Sequence, residues 1–284
     1  MSLDRRAELG EFLRSRRARL RPEEVGLPDY GSRRRVPGLR REELAMVAGV
    51  SVDHYVRLEQ GRTLHFSESV LDAVAQALRL NPVERDHLYR LARPWSGEEP
   101  DGEQQVRPGL RRLLDAACDV PAYVVGRGTN VLAWNSLAAA LITDFGALPP
   151  RERNLARLVF LDEGMRELYE DWPAKAADVV AYLRLDAARN PGDEAITALL
   201  AELGDDAEFR KYWDKHELKD KTHGRYVYLH PVVGRLDLGF ETLRLPDDPD
   251  QALIMHTTEA DSASATALQL LATWRESTAS SPLR

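Results

Sequence analysis

Apolar residues recur at three- and four-residue spacing through the first third of the chain, the period of helices with one buried side. A first helix is predicted over residues 4–20, with Leu9, Phe12, Leu13 and Leu20 on its buried stripe and Arg16 or Arg17 beside them. A second begins after Pro37-Gly38 and presents Leu44, Val47 and Ala48 on one face. It stops at Gly49, because a left-handed C-terminal position costs least without a Cβ. Ser51 is placed to cap a third helix by accepting an N–H two or three residues on, and Tyr55 and Leu58 give that helix its buried side. Val52, Asp53, Val56, Arg57 and Gln60 are left outward. Ser67 caps a fourth helix through Val70, Leu71, Val74, Ala77 and Leu78, and Asn81-Pro82 opens a fifth carrying Leu88, Tyr89 and Leu91.

The pattern breaks over 92–107, where Pro94, Gly97, Pro100 and Gly102 read as a linker. Trp95 within it either clamps two domains or packs locally. After a helix near 108–118, residues 121–125 and 130–134 alternate like two strands joined by Gly126-Arg127-Gly128-Thr129, a hairpin signal, and Asn135 is placed to cap the next helix. Helical segments then run to Leu218, interrupted at Pro149-Pro150, Trp172-Pro173, Asn190-Pro191-Gly192 and Gly204-Asp205-Asp206. Three further strands are expected at 225–233, 236–244 and 251–257, and a closing helix at 263–274. The fold class predicted is α+β: a five-helix domain over 1–93, a linker over 94–107, a domain with an antiparallel sheet and several helices over 108–276, and a flexible tail over 277–284. Strand, strand, helices, then three strands is a PAS-like order, though other α+β sheets share it.

Composition changes this picture in one respect. The net charge of −7 over 284 residues conceals a split: residues 1–95 hold 18 Arg, no Lys and 14 acids, a net of +4, leaving −11 for the remainder. A basic domain suited to phosphate is thus joined to an acidic one that is not. A hydrophobic content of 43% and the absence of a long apolar run or an apolar leader predict a cytoplasmic protein with no membrane partner. The single cysteine, Cys118, allows no internal disulfide or Cys-based zinc site and is expected as a small buried residue.

The small, Gly, apolar and Ser residues of the 44–62 segment resemble a lambda-repressor-like, or XRE, helix-turn-helix. The Arg-rich insert over 21–44 and the ending Val56-Arg57-Leu58-Glu59-Gln60-Gly61-Arg62 are similar to the MmyB-like regulators. A generic amphipathic hairpin is the alternative reading. In the second half, Val131-Leu132-Ala133-Trp134-Asn135, the 153–162 segment and Pro246-Asp247-Asp248-Pro249 resemble the ligand-binding domain of the same family.

The resemblance implies a homodimeric regulator of double-stranded DNA, since one such domain buries little DNA and the class uses paired half-sites. Ser51, Val52, Asp53, His54 and Arg57 are the expected base readers, with Asp53 equally suited to stabilising the helix N-terminus. Arg33, Arg34, Arg35, Arg40, Arg41 and Arg62 are expected on phosphate. By resemblance Glu59 pairs with a helix-one arginine, Arg17, and holds the reading helix in place. In the second domain Trp134, Phe160, Trp172, Tyr182, Trp213, Tyr226, Tyr228 and His230 are expected around a small apolar ligand of fatty-acid type, although core packing suits each aromatic alone. The alternative is a protein-interaction or dimerisation module without a ligand. His216, His223, His230 and His256 lack a metal-ligand arrangement, so no metal or cofactor is expected. No P-loop, nucleophile elbow, dinucleotide fingerprint or zinc-hydrolase helix is present, and no catalytic residue is predicted.

Overall fold

The computed structural model describes residues 4–27, 38–62, 66–93, 104–220 and 222–279. Arg33, Arg34, Arg35 and Trp95 lie outside the described residues, as does most of the expected linker.

Among the described residues, five α-helices make the N-terminal unit: α1 (Arg5–Arg19), α2 (Arg41–Ala48), α3 (Val52–Glu59), α4 (Glu68–Ala77) and α5 (Pro82–Ala92). Their starts obey the capping chemistry of the sequence. The side chains of Asp4, Ser51, Ser67 and Asn81 each accept a backbone N–H of the first turn, and Asn81 and Glu84 cap each other reciprocally. Gly49 ends α2 at φ 65°. Leu9, Phe12, Leu13, Leu44, Tyr55, Leu58, Leu71, Val74 and Leu88 form the shared core. Gly10 lets α1 cross α3 at close range, since a Cβ there would run into the Glu59 carbonyl.

The second unit is built on a five-stranded antiparallel sheet in the order β2-β1-β5-β4-β3, the PAS-like arrangement. Strands β1 (Ala122–Val125) and β2 (Val131–Trp134) are joined by a tight turn over Arg127–Thr129. After the helical excursion come β3 (His223–His230), β4 (Gly234–Leu245) and β5 (Asp248–Thr257). Helices α6 (Pro108–Ala116), α7 (Ser136–Leu141), α8 (Leu155–Leu161), α9 (Glu163–Leu168), α10 (Trp172–Arg189), α11 (Glu194–Leu203), α12 (Ala207–Trp213) and α13 (Ala263–Ala279) complete it. Trp172-Pro173, expected as a break, is the first turn of α10. Proline is tolerated there because its missing N–H would have no partner in the helix. The main core lies between one sheet face and α7, α8, α10 and α12. A smaller cluster, Val106, Leu110, Leu114, Val124, Ala133 and Leu253, covers the other face under α6. Cys118 corrects the expectation of burial: it lies exposed just beyond α6, outside both cores.

Candidate nucleic-acid interface and ligand cavity

The turn between α2 and α3 is tightened by bonds from the Gly49 and Val50 N–H groups to the Met46 and Ala45 carbonyls. Ser51 Oγ accepts from the His54 N–H at 3.1 Å, so the cap orients the first turn of α3. Tyr55 and Leu58 turn inward, leaving Ser51, Val52, Asp53, His54 and Arg57 all exposed on the opposite side. Within that surface Arg57 and Asp53 form an i,i+4 pair at 2.8 Å. Arg40 and Arg62 flank the motif and are exposed.

Glu59 sits at the base of α3 with its side chain sealed from solvent. Arg17 forks onto its carboxylate through Nε at 3.0 Å and Nη2 at 3.1 Å. Arg41 adds a third bond through Nε at 2.8 Å. Burial opposes ionisation of Glu59, but these donated bonds prevail and hold its carboxyl below the usual range. Arg17 also donates to the Leu39 carbonyl at 2.6 Å, so one guanidinium joins α1, α3 and the segment entering α2. The expected pair of Arg17 with Glu59 is thus brought together by the structure. Arg41's share is not foreshadowed by the sequence: expected only on phosphate, Arg41 is a second donor to Glu59 Oε1, which also accepts from Arg17 Nη2.

In the sheet domain a cavity of about 70 Å3 lies between the sheet and α10. Lys175, Asp178, Val179 and Tyr182 reach it from α10, and Tyr123, Tyr226, Phe240 and His256 from the strands. Lys175 is buried, its ammonium 4.7 Å from the Tyr226 ring centre and 5.1 Å from that of Tyr169. Tyr226 donates its hydroxyl to Asp178 at 2.9 Å and stacks on Phe240.

Of the eight residues expected around a ligand, Tyr182 and Tyr226 line this cavity and six do not. Phe160, Trp172 and Trp213 belong to an aromatic core with Phe209, in which the Trp172 Nε1–H is satisfied by the Val159 carbonyl. Tyr228 is fully buried against Tyr169, and Trp134 packs on Phe145 beside Arg153. His230 clips a turn instead: its Nδ1 accepts from the Val232 N–H, so Nε2 donates to the Ala140 carbonyl at 2.9 Å. Aromatic content alone does not tell core from lining. The better signal is polar: Lys175, Asp178, Val179 and Tyr182 fall on one helical face, which puts a buried lysine and a half-buried aspartate on the same side of α10.

A second recess of about 1010 Å3 has a lining half polar and half apolar, with Arg127, Arg153, Arg157, Asn154, Asp193, Ile196 and Leu199 among others. Arg127 is committed to Asp193 at 3.2 Å and Arg157 to Glu202 at 2.7 Å, but Arg111, Arg151 and Arg153 also line this recess, so its arginines outnumber the lining acids Asp193 and Glu194.

The family described as MmyB-like transcription regulator ligand binding domain matches residues 106–271, and the family described as helix-turn-helix domain matches residues 8–88. The chain belongs to the MmyB-like transcription regulators. It is therefore a DNA-binding regulator with a C-terminal ligand-binding domain, and neither matched family is an enzyme family. Comparison with curated proteins gives no match. Among the described residues of this MmyB-like regulator, no helix is long and apolar enough to cross a membrane.

Proposed function

We propose that this regulator reads a specific operator with Ser51, Val52, Asp53, His54 and Arg57 from the N-terminal half of α3, and that a small ligand with an apolar body, of fatty-acid type, modulates binding from the sheet domain. A helix entering a major groove about 12 Å wide contacts bases with its first turns, the part of α3 left free of the core. Arg33, Arg34, Arg35, Arg40, Arg41 and Arg62 serve phosphate, and Arg41 keeps donors to spare beyond its bond to Glu59. Two half-sites call for two copies, with the sheet domain as the dimer surface and the cytoplasm as the setting.

The observation that carries the ligand reading is the cavity itself: an aromatic and aliphatic lining with a buried ammonium suits an apolar chain ending in an acid. Its volume of about 70 Å3 is below the roughly 300–1,000 Å3 of ordinary ligand sites, so binding requires the cavity to widen. That same small volume favours the second reading, an interaction module with no ligand. Native mass spectrometry of the purified protein, followed by denaturing extraction, tests both. An apolar acid on each chain of a dimer supports sensing, and a clean apo mass supports the module.

A further inference from the structure

Helix α10 has two working faces. Lys175, Asp178, Val179 and Tyr182 point toward the cavity. Arg184, two residues beyond Tyr182, lies roughly opposite at 3.6 residues per turn and reaches past Trp213 of α12 to the helix-turn-helix domain. Its fully buried guanidinium bonds the Glu8 carboxylate of α1 and the Trp213 carbonyl, and lies 4.0 Å above the Trp213 ring centre. One turn later Ala188 packs into the core of the helix-turn-helix domain.

The segment after α12 reinforces this contact. His216, held at φ 49°, places Nδ1 3.4 Å from Glu8 Oε1 and Nε2 3.4 Å from Glu11 Oε2. Its carbonyl accepts from Arg16 Nη2 at 2.7 Å, and Glu217 pairs with Arg19 at 2.8 Å. The same segment leads into β3, whose Tyr226 faces the cavity. Glu8, Glu11 and His216 could be read as a cation site, but the Arg184 guanidinium already occupies the charge-compensating position on Glu8.

We infer that α10 is the coupling element between the two domains, with the Arg184–Glu8 contact as the clamp that a ligand entering the cavity releases. A cavity of about 70 Å3 cannot accept a chain-like ligand without displacing a wall, and α10 is the wall that also holds α1. Polar contacts dominate the clamp, and interfaces of that kind move as units more readily than apolar cores. A two-state contact biased from both sides is what coupling requires.

The inference rests on the ligand reading above, so the test separates the two. Laurate serves as the probe, with its binding followed by calorimetry and backbone hydrogen exchange followed in α1 and α5. The variants are Glu8→Gln, which cuts the clamp, and Glu8→Gln/Arg184→Met, which removes both charges and leaves no buried cation unpaired. Expected is binding to wild type with exchange in α1 at least fivefold faster, and binding to the paired variant with no further change. Binding with unchanged α1 exchange in wild type, or with the same change in the paired variant, overturns the coupling and leaves the ligand reading standing. If laurate does not bind, Val179→Phe fills the cavity covalently, with Ala252→Val as the milder substitute should that variant not fold. At least fivefold faster α1 exchange in the filled variant supports the clamp, and unchanged exchange overturns it.

Discussion

Arg57 and Asp53 answer to each other before either answers to DNA. Their 2.8 Å pair is exposed and contributes little to stability, so its importance lies in which partner the guanidinium keeps. A bidentate contact to guanine is worth about 1–3 kcal/mol of discrimination. Arg57→Ala is therefore expected to weaken a selected operator by about that amount while leaving random duplex little changed, as read by fluorescence anisotropy on both. Equal loss on both would remove Arg57 from the readers. Arg34→Ala is expected to weaken all sequences alike and to lower the slope of log K against log salt by about 1. Glu59 is a different kind of residue, since its side chain is sealed and bonded to two arginines. Glu59→Ala leaves Arg17 largely buried without its carboxylate, and a loss of about 3 kcal/mol is expected in urea unfolding. A loss below about 1 kcal/mol would mean that Arg17 reaches water and that the staple is not structural.

At the scale of elements, the contact of α1 and α5 with α10 concentrates titratable groups where pH must act. The carboxyl of Glu8 is penalised by burial, but bonding and charge from His216 and Arg184 prevail and bring it down to about 2. Its contribution is present above the unfolded value of 4.5 and is lost as pH falls toward 2. His87 on α5, edge-on to Phe12 with no hydrogen bond to either ring nitrogen, is lowered to about 3 by burial first and by Arg184, Arg16 and His216 beside it, against the pull of Glu8. The unfolded chain takes that proton at 6.5 and the folded one only near 3, so stability falls as pH drops through this window. Asp186, also on α10, has the opposite sign: burial raises it to about 6 although the Gly128 N–H bonds it, so its penalty grows as pH rises from 3.8 to 6. The urea midpoint is expected to fall on acidification below pH 6.5, and His87→Leu to flatten that fall. Asp186→Asn should instead raise the midpoint at about pH 7 relative to about pH 4. An unchanged acid limb in His87→Leu would place the acid sensitivity elsewhere. None of these three groups is legible in the sequence. Periodicity finds apolar stripes, and it places the five N-terminal helices and the β1–β2 hairpin because caps, turns and stripes agree locally there. Glu8 and His87 break the stripe, and only the arrival of α10, with Arg184 176 residues from Glu8, explains their burial. Arg16 is legible as an inward position on α1, yet not its partner. Apart from Tyr182 and Tyr226, the expected ligand aromatics miss the cavity for a related reason: Trp172 and Trp213 satisfy every criterion for a lining residue except position.

For the whole molecule, the charge split sets how two domains can share one DNA. Residues 1–95 carry +4 and the rest −11, so the sheet domain is repelled by the phosphates that the other domain binds. In a two-fold dimer both sheet domains then sit together on the side away from the duplex, which makes them the joint between the reading heads. The spacing of the heads is in that case a property of the sheet domains and of the α10 clamp, not of the DNA. Half-sites for paired recognition helices lie about 10–10.5 base pairs apart, or a multiple of that. In light scattering the regulator is expected at twice its 32.0 kDa chain mass. Inserting about 5 base pairs between the half-sites of a selected operator turns one half-site to the opposite side of the duplex and should reduce affinity to that of a single head, while about 10 should restore much of it. The longer insertion also separates the heads by a full turn, so the degree of recovery measures the stiffness of the joint. A monomer mass together with indifference to insertions would mean that each chain binds alone, and the acidic domain would then act by repulsion and not as a joint.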